Sequence, residues 1–488
     1  MNDFLANLAD LLVYRPDAPM LFSSGTFWVL FLLFLPIYSA LSRYRLGQQA
    51  FVAAFSLYFY YKCSGWFVGL LAATSMVDWL LSHAIARSRR RGAKRRLVAL
   101  SLTCSLGVLA VFKYANFALW NWAAIVHGNF HPLDIILPVG ISFYTFQSVS
   151  YIIDVYRGRV APTATWLHYA FYLTFFPALV AGPIVRADRF LPQVTSPHRP
   201  NAAEIWAGLW LIILGVVKKA VIADYIAGYN DLIFDSPGAY TGFETLMGIA
   251  GYTMQIYCDF SGYSDMAIGL AAIMGFRLEA NFNFPYKARN LTDFWHRWHI
   301  SLSTWLRDYV YIPLGGNRRG RVLTYVNLMA TMLIGGLWHG AAWRFVFWGG
   351  MHGLGLVVHK ALRRRLERVP DTWAVRAVSW LITTAFVALL WVYFRADSWE
   401  SAATLIASVF TRFSPQHIVP FAQTRLLWIA LMGVIITAHA LPTRFWAAAQ
   451  RWFVAAPWVV KWLIFVAVVQ ITVQLAGTDV APFIYFQF

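Results

Sequence analysis

The sequence predicts an all-α protein threaded many times through a lipid bilayer, and three observations predict it. Apolar residues make up 59% of the 488 and charged residues only 13%, more apolar surface than a water-soluble globule can hide. The apolar residues gather into runs near the ~20 residues that cross a ~30 Å hydrocarbon core, as at 21–41, 97–120, 206–222, 373–392 and 458–475. Trp and Tyr cluster near the ends of these runs, where interfacial aromatic belts form. Continuous runs exclude a membrane β-barrel, whose strands alternate apolar and polar residues.

Charge orients these spans. Forty Lys and Arg against 22 Asp and Glu give +18, which on a soluble protein would point to nucleic acid. Here the basic residues collect between apolar runs, at 88–96 (SRRRGAKRR), 317–321 (NRRGR) and 360–368 (KALRRRLER). Positive-inside topology accounts for them as cytoplasmic loops, so no nucleic-acid partner is expected. In order, Arg43 and Arg45 fall inside, the aromatic turn at 61–65 outside, 88–96 inside, 127–134 outside, and Arg157 with Arg159 inside. The alternation then meets two segments interrupted by Pro and Gly, 175–186 (FFPALVAGPIVR) and 281–290 (NFNFPYKARN). Broken backbone at membrane depth survives only where protein buries it or it lines a wet cavity, so these segments mark a cavity. With re-entrant pieces included, roughly 11–13 membrane segments are expected.

No long linker, low-complexity tract or fixed-period repeat divides the chain, which reads as a single domain over 1–488 with residues 1–19 as an N-terminal extension. Asp3 and Asp10 stand where a secretory leader would carry positive charge, so the first anchor is expected to be retained. Cys63, Cys104 and Cys258 have spacings unlike a disulfide or metal framework.

Between Tyr257 and Gly350 polar and ionisable residues become too dense for lipid-facing helices, and intramembrane polar clusters mark function. His339, in GGLWHG at 335–340, reads as a histidine deep in an apolar helix, with small residues on both sides and Trp338 beside it. A neutral imidazole in a dry site can take a proton from a hydroxyl near pH 7, and glycines let a helix or an acyl chain come close. A buried histidine held by an interhelical hydrogen bond fits the same spacing. His296 and His299, three apart, are expected on one helical face, which raises a zinc site. No HExxH, third ligand or Cys partner accompanies them, so no metal is expected.

Arg297, Arg307 and Asp308 read as charges of that stretch that pair with one another. Asp259 and Asp265 in DFSGYSD are expected to face the cavity, with Ser261 as a helix cap. Together with Asn281 and Trp338, these charged residues are the candidates for lining the substrate path. No GxSxG elbow offers an acyl-serine nucleophile, and PLGGNRRG lacks the Lys-Ser/Thr ending of a P-loop.

The segments DFSGYSDMAIG, NFNFPY, DFWHRWHISLSTWLRDYVYIPLGGNRRG, GLWHG and the closing FIYFQF resemble the bacterial alginate O-acetyltransferase branch of the membrane-bound O-acyltransferases. The resemblance runs from MLFSSGTFW at Met20, through FFPALVAGPI, to Phe488. It implies a catalytic histidine at His339 and a second functional histidine at His299. Two departures stand out: His296 occupies a position where the family usually has Arg, and residues 1–19 precede the usual start. The implied fold is a ring of tilted helices around a thinned centre, with funnels from both faces meeting near the catalytic histidine.

The resemblance further implies acetyl transfer from a cytoplasmic thioester such as acetyl-CoA, with no bound cofactor, in a bacterial inner membrane surrounded by lipid. Its final acceptor would be an exopolysaccharide such as alginate or cellulose, or peptidoglycan, reached through a periplasmic or membrane-anchored transferase with its own serine. Related branches move D-alanine. His339 would deprotonate the hydroxyl while His299 positions or polarises the thioester. Two other classes fit composition alone: a transporter with broken helices and a scaffold of a secretion complex. With GLWHG about twenty residues beyond NRRGR, His339 is expected near mid-membrane, open to both faces.

Overall fold

The computed structural model describes residues 12–16 and 19–475; Asp3, Asp10 and the closing FIYFQF lie outside the described residues. Among the described residues every regular element is a helix. Among the described residues seven helical stretches are long and apolar enough to cross a bilayer, and an eighth counts if the pair Pro415–Thr424 and Leu426–Ala440, bent by 92°, is one span. The five apolar runs read from the sequence fall in helices, for example Gly25–Ala40, Trp373–Arg395 and Trp458–Leu475. The larger expected number of segments also counted half-length and broken runs, which are too short for this criterion.

Local chemistry sets the ends. The hydroxyls of Ser24 and Thr372 and the side-chain amide oxygen of Asn290 each accept from a backbone N–H one turn into the following helix, satisfying donors that have no intrahelical partner. Between the 20-residue helices Arg45–Ser64 and Val68–Arg87 the chain turns at Gly65, whose φ of 61° suits a residue without Cβ. The basic stretch 360–368 is mostly helix rather than loop. Trp343–Leu366 runs through Arg363, Arg364 and Arg365, where cations favour the negative end of the helix dipole.

The contacts gather into two compact units. One holds the chain up to Leu209 together with Met266–Glu279, the other Trp210–Asp265 with the chain from Ala280 onward. In the first unit, Phe176 is fully buried against Phe27, Phe31, Phe34, Phe55 and Phe59. It opens the four-residue helix Phe176–Leu179 inside the segment expected to be broken, and residues 175–185 are buried, as irregular backbone at membrane depth requires. Asp78 is also buried there, accepting from the hydroxyls of Ser101, Ser148 and Tyr169. The second unit carries the histidines.

Candidate active site

His339 closes the 19-residue helix Arg321–His339; Gly340 leaves it in an extended conformation, and Trp343–Leu366 runs back along it. Glycines let the two helices meet. A Cβ on Gly336 would stand 2.2 Å from the Phe345 carbonyl oxygen, and one on Gly349 2.3 Å from that of Met332. His339 is buried, but as the last residue of its helix rather than deep within it, which corrects the first expectation. At ~1.5 Å per residue the helix is ~28 Å long, so a mid-membrane depth for His339 demands a strongly tilted span or a thinned bilayer.

The second histidine is positioned by broken backbone. His296 and His299 were expected on one helical face. Instead Leu291–Arg297 ends, Trp298 is extended, and His299 takes a left-handed conformation (φ 43°, ψ 56°) as N-cap of Ile300–Leu306. The kink is held from the NFNFPY segment: Asn283 N–H donates to the Arg297 carbonyl and Ile300 N–H to the Asn281 carbonyl, both at 2.9 Å. The break parts the histidines, so His296 lines a cavity while His299 is fully buried.

Asn281 then fixes which nitrogen of His299 is basic. Its side-chain oxygen accepts from the Ser301 backbone N–H at 3.2 Å and from the Ser301 hydroxyl at 2.9 Å, while its amide nitrogen donates to Ser264. A backbone N–H can only donate, so this atom is the oxygen, and His299 Nδ1, 3.0 Å away, must donate to it. Neutral His299 therefore carries its proton on Nδ1 and its lone pair on Nε2.

Trp338 touches both imidazoles, with ring centroids 5.8 Å from His299 and 5.0 Å from His339. Trp348 and Phe394 cover the rest of the His339 ring at 5.0 and 5.4 Å. Beyond Trp348 stands His352, which sequence reading passed over; its ring lies 4.7 Å from that indole and is fully buried. Its signal was present, since WGGMHG sets a Trp and a His four residues apart among glycines, close behind GLWHG. His439 was also missed. Its Nε2 accepts from the backbone N–H of Tyr286, which fixes the end of NFNFPY.

The charged candidates sort differently. Asp259 pairs with Lys219 at 2.5 Å and Asp265 with Lys218 at 2.6 Å, both lysines lying on the π-helical turn Val217–Ala223. Ser261 is no cap, because it sits inside the 32-residue helix Gly242–Ile273. The next residue, Gly262, lets that helix approach the Gly215 carbonyl. Arg297 pairs with Asp293 at 2.7 Å and Arg307 with Asp308 at 2.8 Å, so Arg and Asp do pair, but not Arg297 with Asp308. Among the described residues no cluster of three or more His, Cys, Asp or Glu could hold a metal ion. A cavity of about 570 Å³ has Arg307, His296, His359, Lys360 and Arg363 on its walls and Trp295, Leu306 and Met332 as apolar lining.

A profile of the MBOAT, membrane-bound O-acyltransferase family, matches residues 161–401. The probable alginate O-acetylase AlgI of Azotobacter vinelandii is 42% identical over 400 residues, 80% of this chain and 78% of that protein. That of Pseudomonas putida is 36% identical over 96% of this chain and all of its own length. The peptidoglycan O-acetyltransferase of Helicobacter pylori is 37% identical over 76% of this chain and 75% of that protein. Membrane-length helices, two buried histidines and this breadth of similarity lead to one conclusion: the chain belongs to the membrane-bound O-acyltransferase family, as a multi-pass acyltransferase of the bacterial inner membrane.

Proposed function

We propose that this protein takes an acetyl group from a cytoplasmic thioester, acetyl-CoA, and carries it through the membrane for O-acetylation of a secreted polysaccharide such as alginate. The observation that carries this reading is the pair of buried imidazoles against Trp338, one of them held by Asn281 with its basic nitrogen turned away from the tether. In the reaction the acceptor O–H bond breaks, oxygen bonds to the acyl carbon, the carbon–sulfur bond breaks, and the proton ends on the thiol.

His339 is the base on the hydroxyl. The polarising role read for His299 gives way to the positioning one, because a neutral imidazole with its proton on Nδ1 has no N–H at Nε2 to offer a carbonyl. The hydroxyl's single proton points at His339, and the tethered ring of His299 fixes the wall of the site beside Trp338 against which the reacting groups are placed. Neither step calls for a metal, and donor turnover should survive chelation.

Polarity of the hairpin supports the direction of transfer. Arg321 begins one helix and Arg363–Arg365 close the other, so the basic clusters share one end while His339 and Trp343 share the opposite end. The cavity's basic residues lie at the cationic end and suit a phosphate-bearing donor. A polymer cannot thread such a site, so a periplasmic or membrane-anchored transferase hands the acetyl group on. The Helicobacter relative supports a second acceptor, peptidoglycan. Product analysis separates the two. In a deletion strain, the wild-type gene should restore acetylated polymer and His339→Ala should not, although the variant accumulates in the membrane. A general base contributes ~10²–10⁴-fold, and near-normal acetylation by His339→Ala would remove the assignment.

A further inference from the structure

The helix Thr443–Ala455 takes no part in the reaction described above, and it carries a short repeat of its own. Arg444, Phe445 and Trp446 recur seven residues later as Arg451, Trp452 and Phe453. Seven residues are close to two helical turns, so each pair shares a side of the helix and successive sides stand ~100° apart. One side carries two cations, the next two aromatic rings and the third two more.

Burial sorts the three sides by environment. The third is packed on protein: Phe453 is fully buried against the Trp210 ring at 5.3 Å, and Trp446 Nε1 donates to the Ala438 carbonyl at 3.1 Å. On the second side Phe445 and Trp452 are 48% and 59% exposed. Arg444 and Arg451, opposite the packed side, are exposed as well, and among the described residues neither guanidinium pairs with a carboxylate.

Length and connections place the helix. Its 13 residues reach ~20 Å, too short to cross a ~30 Å core. It joins Leu426–Ala440 to the membrane-length helix Trp458–Leu475, with Pro442 at its N-cap and Pro457 after its end breaking it from both. A short helix between two such neighbours runs along a membrane face. That face is the cytoplasmic one. The Leu441 carbonyl accepts from Lys287 Nζ at 2.5 Å, and Arg289, two residues on, pairs with Asp371 at 3.0 Å. Asp371 follows the basic stretch 360–368, which the positive-inside rule assigns to the cytoplasm.

We infer that Thr443–Ala455 lies in the cytoplasmic interface and is a binding site for anionic phospholipid, with Phe445 and Trp452 among the acyl chains and Arg444 and Arg451 each on a headgroup phosphate. The two cations stand ~10.5 Å apart along the axis, so they meet neighbouring headgroups. Guanidinium matches phosphate in charge and hydrogen-bond geometry. A free phosphate would call on the cations alone, whereas an aromatic pair exposed one side further round calls for a ligand with an apolar portion. Through Trp446 the bound lipid also steadies Ala438 and, one residue on, His439, which holds Tyr286.

Thermal unfolding of the purified full chain in neutral detergent, titrated with short-chain phosphatidylglycerol or phosphatidylcholine, tests it. A ligand of the folded state raises the Tm, and phosphatidylglycerol should do so at lower concentration than phosphatidylcholine. Arg444→Gln with Arg451→Gln should move the phosphatidylglycerol curve about twenty-five-fold to higher concentration, roughly fivefold for each cation, and leave the phosphatidylcholine curve in place. Lysine at both positions should keep most of the preference. Phe445→Ala with Trp452→Ala should weaken both lipids alike. Arg89→Gln with Arg90→Gln removes the same charge elsewhere and should keep the wild-type curves. Equal response of the wild type to the two lipids, or the same shift from the Arg89 and Arg90 pair, would overturn the inference. A rise with inorganic phosphate as large as with phosphatidylglycerol, lost in Arg444→Gln with Arg451→Gln, would replace the lipid by a free anion and overturn it as well.

Discussion

Asn281 concentrates three donors on one oxygen: the Ser301 backbone N–H, the Ser301 hydroxyl and His299 Nδ1. Removing that oxygen frees the imidazole to change tautomer and to rotate, so the effect should fall on turnover more than on substrate binding. Asn281→Leu, of similar volume, should lower kcat by about a hundredfold, the cost of misplacing a positioning group by an ångström or so. Asn281→Asp preserves the acceptor and should keep most of the rate. Equal rates for Asn281→Leu and wild type would show that His299 needs no tether. Sequence singled out the two histidines through their motifs and offered Asn281 only as a candidate for lining the substrate path, not as a tether, because its partners lie 18 and 20 residues away and no local spacing reveals them. His352 was legible in principle, since WGGMHG again places a His among glycines soon after GLWHG; the aromatic rings around it became apparent only from packing.

Periodicity and length are local properties, so the long apolar helices were legible at the level of elements. The broken segments were legible too, through Pro and Gly. The break at Trp298–His299 was not, because neither residue is a helix breaker; hydrogen bonds from Asn281 and Asn283 hold the kink, and tertiary contacts override propensity. The hairpin of Arg321–His339 on Trp343–Leu366 gives a second test at this scale. Gly336→Ala would push a Cβ to 2.2 Å from the Phe345 carbonyl and 3.2 Å from the Gly349 Cα, backbone atoms that cannot rotate away. Overpacking of this kind costs ~1–3 kcal/mol, and the hairpin must spread beside His339. A lower Tm in detergent and a fall in acetylation are expected. Gly433→Ala has nothing within 4 Å of the added carbon and should be neutral or stabilising by up to ~1 kcal/mol. A thermally neutral Gly336→Ala would mean the helices do not pack this closely.

At the scale of the whole protein the question is which face supplies the donor. The +18 charge is concentrated in segments that the positive-inside rule assigns to the cytoplasm. Two of them, at Arg321 and at Arg363–Arg365, lie at the end of the hairpin opposite His339. With ~28 Å of helix between Arg321 and His339, a donor held among the cytoplasmic cations must reach inward along most of the span, while an acceptor approaching the other end has the shorter path. Oriented vesicles test this directly, with labelled acetyl-CoA on one side and a soluble periplasmic acetyltransferase on the other. Label should reach the partner only when the donor is on the face bearing 317–321 and 360–368, and transfer should vanish in His339→Ala. Equal transfer from donor on the opposite face would rule out passage through the membrane and would place both substrates on one side of the site.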